Sequence, residues 1–302
     1  MPSVFVLIWS TGFIVARFGM PHSPPFTFLV IRYALSVVCF GVWIALTRAA
    51  WPRDSRQVFH LTVTGILMHA GYLGGVWAAV RLGLGAGTIA LLVGLQPILT
   101  AIWVTLFVAR VPSGGGPSRQ IDQGLHPGYE SRLTRRQWAG LALGLAGLVL
   151  VVWRKLGAGE VTVINLTLAI IALLCITTGT LYQKRFVAAC DVRTANFVQL
   201  VAAFVVSVPI AVLEPGTVDW HPAFIGSMAW SVLALTLGGS SLLYLLIQRG
   251  AATKVTSLLY LVPPCTAVMA WAIFNEVLTA PMMLGMALTA GGVALVSRTA
   301  PA

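Results

Sequence analysis

An arginine at position 32 lies inside an apolar run that opens at Phe26 and closes near Thr47. A guanidinium at that depth in hydrocarbon costs about 2.5–3.5 kcal/mol on insertion scales, so it needs a partner or a water-filled cavity. Two readings follow. Its planar fork can anchor a substrate carboxylate, or it can lock two helices together by donating to backbone carbonyls near a helix end. Its closeness to Phe26 favours the lock. The remaining polar and aromatic candidates for a binding site are His69, Tyr72, Trp77, Gln96 and Trp103 in the third and fourth apolar runs. Ser240, Ser241, Tyr244, Tyr260 and Trp271 are their counterparts in the eighth and ninth. His69, Tyr72 and Gly75 share one helical face at i, i+3 spacing, and so do Ser240, Ser241 and Tyr244. Such side chains offer apolar area with a few hydrogen-bond donors. Set at midplane depth they would line a mildly apolar cavity suited to a neutral zwitterion or an aromatic metabolite. A sugar phosphate would demand clustered Lys or Arg. The plain alternative for each aromatic is helix packing or an interfacial belt, and a lone His69 reads as a hydrogen-bonded packing residue.

A second group reads as structural or gating. Ser10-Thr11-Gly12 and Thr178-Gly179 combine small size with a hydroxyl, which permits close helix approach. Pro97 and Pro263 interrupt two runs, and Glu276 closes the ninth. Glu276 reads as a helix cap or as an interfacial ion pair with Arg17 or Arg81. All eight acidic residues fall in connections or at run ends. Ion-driven carriers commonly use a buried carboxylate relay, so this placement argues for facilitated, gradient-driven movement. No paired carboxylate, His-x-x-x-His or Gly-x-Ser-x-Gly occurs within the runs, which argues against an enzyme. The four cysteines are dispersed and read as packing residues, with no metal site and no cofactor implied.

The elements that must position these groups are membrane helices. The chain is 58% hydrophobic and only 9% charged, against about 25% charged in soluble domains. Its apolar residues fall in blocks near the ~20 residues that cross the hydrocarbon core, and lipid leaves a helix as the way to satisfy their backbones. Ten blocks are expected, at about 4–18, 26–47, 58–80, 86–109, 138–153, 163–182, 195–213, 222–246, 256–274 and 281–296. The first lacks a basic n-region and a cleavage site, and reads as a retained helix. Residues 110–136, with Ser113-Gly114-Gly115-Gly116-Pro117, read as a flexible loop. The net charge of +11 comes from basic residues at block ends, not from a nucleic-acid patch. Of 19 Lys and Arg, 14 fall in alternate connections and at the C-terminus, and 4 in the others. This bias expects both termini in the cytoplasm of a multi-pass inner-membrane protein.

The chain also repeats itself. At an offset of 167, Thr11-Gly12 falls on Thr178-Gly179, Arg17 on Lys184 and Arg32 on Gln199. At 166, Pro97 falls on Pro263 and Thr100-Ala101 on Thr266-Ala267. At 145, Gly140 falls on Gly285 and Gly147 on Gly292. Five spans per copy is odd, so the second copy must enter the bilayer from the opposite side. Inverted repeats are frequent in secondary transporters, where two like halves rock about a midplane site. The expected units are a first repeat at 1–109, a loop insertion at 110–136, the fifth span at 137–155 and a second repeat at 156–302.

Trp9-Ser10-Thr11-Gly12-Phe13, Phe26-Thr27-Phe28-Leu29-Val30-Ile31-Arg32-Tyr33, and the closing run from Pro263-Pro264 through Asn275-Glu276 to Gly285 and Gly291-Gly292 resemble EamA-type members of the drug/metabolite transporter superfamily. The resemblance implies an all-α fold of ten membrane helices that exports or permeates amino acids or similar metabolites. Efflux of lipophilic compounds is the alternative cargo. A membrane-embedded enzyme or a structural membrane protein is the alternative class. One departure stands out, because Arg110 falls where the first repeat would carry the counterpart of Glu276. The expected partners are a small-molecule substrate and the lipid bilayer, with a monomer or homodimer as the assembly.

Overall fold

In the computed structural model, residues 2–103, 159–239 and 261–297 are described, with isolated helical positions between 138 and 150 and at Leu242. The expected loop at 110–136, most of the fifth span, and the candidates Ser240, Ser241, Tyr244 and Tyr260 lie outside the described residues. Among those described the regular structure is helical, with no strand. The elements are α1 (Pro2–Gly19), α2 (Pro25–Thr47), α3 (Ser55–Arg81), α4 (Ala86–Val93), α5 (Gln96–Trp103), α6 (Val163–Phe186), α7 (Val192–Leu213), α8 (Pro222–Gly239), α9 (Val262–Phe274) and α10 (Ala280–Ser297). By length and composition, α2, α3, α6, α7 and α8 are each able to cross a membrane.

The helix ends follow from local chemistry. Pro25 opens α2 at a position where a missing N–H costs nothing. The Glu214 carboxylate accepts the backbone N–H groups of Phe26 and Thr27 at 3.0 and 2.9 Å. Thr162 and Asn165 close a capping box on α6. Asp191 caps α7 by accepting from the Arg193 N–H. Asn275 ends α9 in the left-handed region at φ 53, which Asn tolerates better than most residues.

Two helices depart from α geometry. α3 turns π-helical over Ile66–Gly71, and α8 does so over Ser231–Gly239. Shifted by 167 positions, the first segment falls inside the second. Short π segments are uncommon and recur at functional sites.

Contacts fix how the rods lie. α2 and α7, counterparts in the sequence repeat, run antiparallel. Glu214 at the end of α7 meets the start of α2, while Thr194 at the start of α7 donates to Ala50 O beyond the end of α2 at 3.0 Å. α4 and α9 also run antiparallel, with Ala86 against Glu276 and Gly94 against Pro263. α3 lies antiparallel to α6, with Gln57 against Ala188, Gly71 against Cys175 and Leu82 against Asn165. In the same way α8 lies antiparallel to α1, with Gly19 against Ser227 and Gly12 against Leu235. α3 thus packs on α6, and α8 on α1.

One approach is unusually close. A methyl built on Gly65 would stand 2.3 Å from Gln199 O and 2.6 Å from its Cα. α3 therefore touches the α7 backbone itself, with a glycine at the contact, as small residues allow in membranes. This draws the π segment of α3 against the polar middle of α7.

Candidate functional site

Arg32 is 7% exposed in the middle of the bundle. Its Nε and Nη2 donate to Thr236 Oγ1 at 3.3 and 3.1 Å, and that hydroxyl donates to Ser231 O at 2.8 Å. The π geometry of α8 places Thr236 five residues beyond the carbonyl it binds. Arg32 Cζ stands 6.0 Å from the centroid of the Trp77 ring, at the outer limit of a cation–π contact. Trp77 is held in turn by Phe28, whose ring stacks on it at 4.3 Å. No carboxylate among the described residues lies within ion-pair distance of Arg32. The charge is held by a hydroxyl and an aromatic face, and acts on Tyr33, Tyr72 and His69 around it.

Across from this pair stands a second one. Gln199 of α7 faces the His69 ring in the π segment of α3, and Tyr33 donates to His69 O at 2.9 Å. Shifting by 167 positions carries Arg32 onto Gln199 and His69 onto Thr236. The two polar contacts, Arg32 with Thr236 and Gln199 with His69, are thus one contact made twice, once cationic and once neutral. The first joins α2 to the π segment of α8, and the second joins α7 to the π segment of α3.

Arg32, His69, Tyr72 and Trp77 are therefore gathered, whereas the other described candidates lie elsewhere. Gln96 donates to Thr180 Oγ1 at 3.0 Å between α5 and α6. Trp103 and Trp271 are exposed on the flank, at 43% and 53%. Ser10 donates to Val6 O at 2.7 Å, and its carbonyl accepts from Thr266 Oγ1 at 3.2 Å. Thr11 Oγ1 accepts from Trp230 Nε1 at 2.8 Å. Gly12 meets Leu235, and Gly179 meets Met68 and Leu67. Thr178 is half-buried on α6, Pro97 belongs to α5, and Pro263 packs on Gly94. Glu276 pairs with Arg17 and accepts the Ala86 N–H at 3.0 Å, so it caps α4 and not the helix that follows it.

Sequence reasoning missed Thr236, Tyr33 and Phe28, and knew Gln199 only as the repeat partner of Arg32. Thr236 stands one repeat length from His69, but a lone threonine in an apolar helix carries no signal of its own. A cavity of about 330 Å³ opens at one end of the bundle, lined by Arg17, Met20, Pro21, Val80, Arg81, Gly83 and Leu84. Arg32 is not among its lining residues and is buried elsewhere in the bundle.

Residues 163–298 match the EamA-like transporter family. The second half of the chain is thus similar to an EamA-like transporter module. The resemblance read in both halves has a family match over the second, and the described residues are helical, with apolar helices long enough to cross a membrane. YvbV, a transporter of Bacillus subtilis (strain 168), is 23% identical over 97% of this chain and 88% of that protein. A probable amino-acid metabolite efflux pump of Escherichia coli (strain K12) is 22% identical over 95% of this chain and 90% of its own length. A solved crystal structure superposes with a TM-score of 0.60 at 18% identity, covering 98% of this chain and 95% of the other. That likeness concerns the fold alone.

Proposed function

We propose that the chain moves small carboxylate-bearing metabolites, with neutral or aromatic amino acids as the first class, by alternating access between two oppositely inserted repeats. The observation that carries the reading is Arg32. A buried cation held by a hydroxyl and a ring face, with no carboxylate at it among the described residues, is matched to an anion that arrives and leaves. Trp77 and Tyr72 supply apolar walls, and His69 with Gln199 supplies neutral polar groups opposite the charge. The antiparallel course of α2 with α7 supports inverted repeats. The paired π segments support motion about the same contacts, because a π turn is easily rewound into α geometry. The Escherichia coli relative, described as a probable amino-acid metabolite efflux pump, supports the substrate class.

In the closed packing, Thr236 and Trp77 stand in for the substrate. A carboxylate reaching Arg32 would replace the Thr236 hydroxyl as its acceptor and separate α2 from α8. The same rearrangement, transferred through the repeat, loosens Gln199 from His69. Lipophilic efflux is the second cargo considered, and the Arg32 charge disfavours it for cations. The test is counterflow in proteoliposomes with a panel of amino acids, aromatic carboxylates and lipophilic cations. Saturable exchange of the zwitterions is expected, and exchange confined to the cations would reverse the assignment.

A further inference from the structure

The cavity at the end of the bundle carries charge of one sign on its wall. Arg17 near the end of α1 and Arg81 at the end of α3 both border its volume of about 330 Å³, and no lining residue is acidic. The rest of the wall is mainly apolar, with Met20, Pro21, Val80 and Leu84. Carboxylates of the same end are turned to other partners. Glu214 accepts the Phe26 and Thr27 N–H groups, Asp219 pairs with the His22 ring, and Glu276 takes the Ala86 N–H together with Arg17.

The protein uses only part of these two guanidiniums. Each is a planar fork with several N–H donors and no acceptor. Arg17 gives Nη1 to Glu276 Oε1 and rests its Cζ 4.8 Å from the centre of the Phe274 ring. Arg81 gives Nη1 to Met20 O at 2.5 Å, just past Arg17 in the chain. That bond draws the end of α3 to the turn after α1 and brings both forks to one cavity. Arg81 is exposed, and among the described residues no carboxylate stands within ion-pair distance of it. A second cation left unbalanced beside the Arg17 pair attracts an anion, and an arginine fork meets an oxyanion with paired hydrogen bonds. The volume falls at the lower end of the range for small-molecule sites, about 300–1,000 Å³. It suits one oxyanion with a short apolar body lying on Met20, Val80 and Leu84.

We propose that this cavity binds a single oxyanion, a carboxylate or phosphate group, between the Arg17 and Arg81 forks. A soluble metabolite and a lipid headgroup offer the same chemistry there. The bound anion competes with Glu276 for Arg17, so its arrival loosens α1 from α9 at this end. The charge bias of the connections expects this end to face away from the cytoplasm, where a carboxylate that has left Arg32 would meet it. Arg32 and the cavity are then successive stations on one path. That role rests on the function proposed above, whereas the anion site itself does not.

The experiment is labelling of Arg81 by phenylglyoxal, an arginine-selective dicarbonyl, in wild-type protein held in phosphatidylcholine nanodiscs and read by peptide mass spectrometry. Benzoate, a carboxylate on an apolar ring, is the probe. At about ten times its dissociation constant it is expected to slow labelling of Arg81 about tenfold by mass action. Arg56, exposed at the opposite end, is expected to label at an unchanged rate. Slowing by benzoate assigns the site to a soluble carboxylate, and slowing only when phosphatidylglycerol is added to the nanodisc assigns it to a headgroup phosphate. Arg81 labelling that neither one slows would overturn the site, and so would equal slowing at Arg56. Arg32→Gln is expected to keep the protection of Arg81, and its loss there would overturn the cavity as a site of its own. Protection in a wild type that exchanges no metabolite would remove the transport reading and leave the anion site standing.

Discussion

At the scale of single residues, Arg32 bears the heaviest demand. It is a full charge in a buried place, and its partners are replaceable. Arg32→Ala is expected to lower counterflow of a carboxylate substrate at least tenfold, about 1.4 kcal/mol or more of lost anchoring. Glu276→Gln, measured without a pH gradient, is expected to lower it less. Equal rates in the two variants would remove Arg32 from the site. Thr236→Val strips the acceptor while keeping the shape, and is expected to tighten apparent substrate affinity, because nothing then competes for the guanidinium. Much of this was legible in the sequence, since a charge inside an apolar run announces itself. Thr236 did not, because a threonine in a membrane helix has an ordinary use in bonding its own preceding turn. Only the partner across the bundle distinguishes it.

At the scale of elements, close contacts and caps carry the consequences. Gly65→Ala would press a methyl into the Gln199 backbone at 2.3 Å. The backbone has no rotamer to yield, so a loss of about 1–3 kcal/mol is expected, read as a lower melting temperature in detergent. Gly226→Ala, where nothing lies within 4 Å, serves as the control and is expected to melt with the wild type. Asp191 caps α7 and receives Arg193 Nε at 2.9 Å. That side-chain hydrogen bond, reinforced by the backbone N–H and charge of Arg193, holds its carboxyl below the usual range. A depressed carboxylate contributes stability above its unfolded-state pKa and loses it as pH falls through the folded-state value. Asp191→Ala is therefore expected to melt earlier than wild type at neutral pH, by about 1 kcal/mol, and the gap is expected to close in acid. The helices themselves were readable from apolar run length. The π segments were not, because Ile66–Gly71 and Ser231–Gly239 have no sequence signature apart from their neighbours in space.

At the scale of the whole molecule, the proposed internal repeat links the sequence to the fold. Offsets of 167 and 166 were read from scattered matches such as Thr11-Gly12 and Pro97. The antiparallel course of α2 with α7, which stand one offset apart, is the relation that the proposed inverted repeat requires. The site was legible in part. Its cationic half follows from Arg32, and its neutral half, Gln199 with His69, follows only when the repeat is applied to a contact and not to single residues. The outlying candidates Trp103 and Trp271 illustrate the limit, since an aromatic in a membrane helix packs as readily on the flank as inside.

The central claim is that Arg32 anchors a carboxylate substrate between the two halves. It is tested most directly by counterflow of a radiolabelled neutral or aromatic amino acid into proteoliposomes, comparing wild type with Arg32→Gln and Arg32→Lys. Saturable exchange is expected in wild type, with loss in Arg32→Gln and partial retention in Arg32→Lys, which keeps the charge without the planar fork. Equal exchange in wild type and Arg32→Gln would contradict the account.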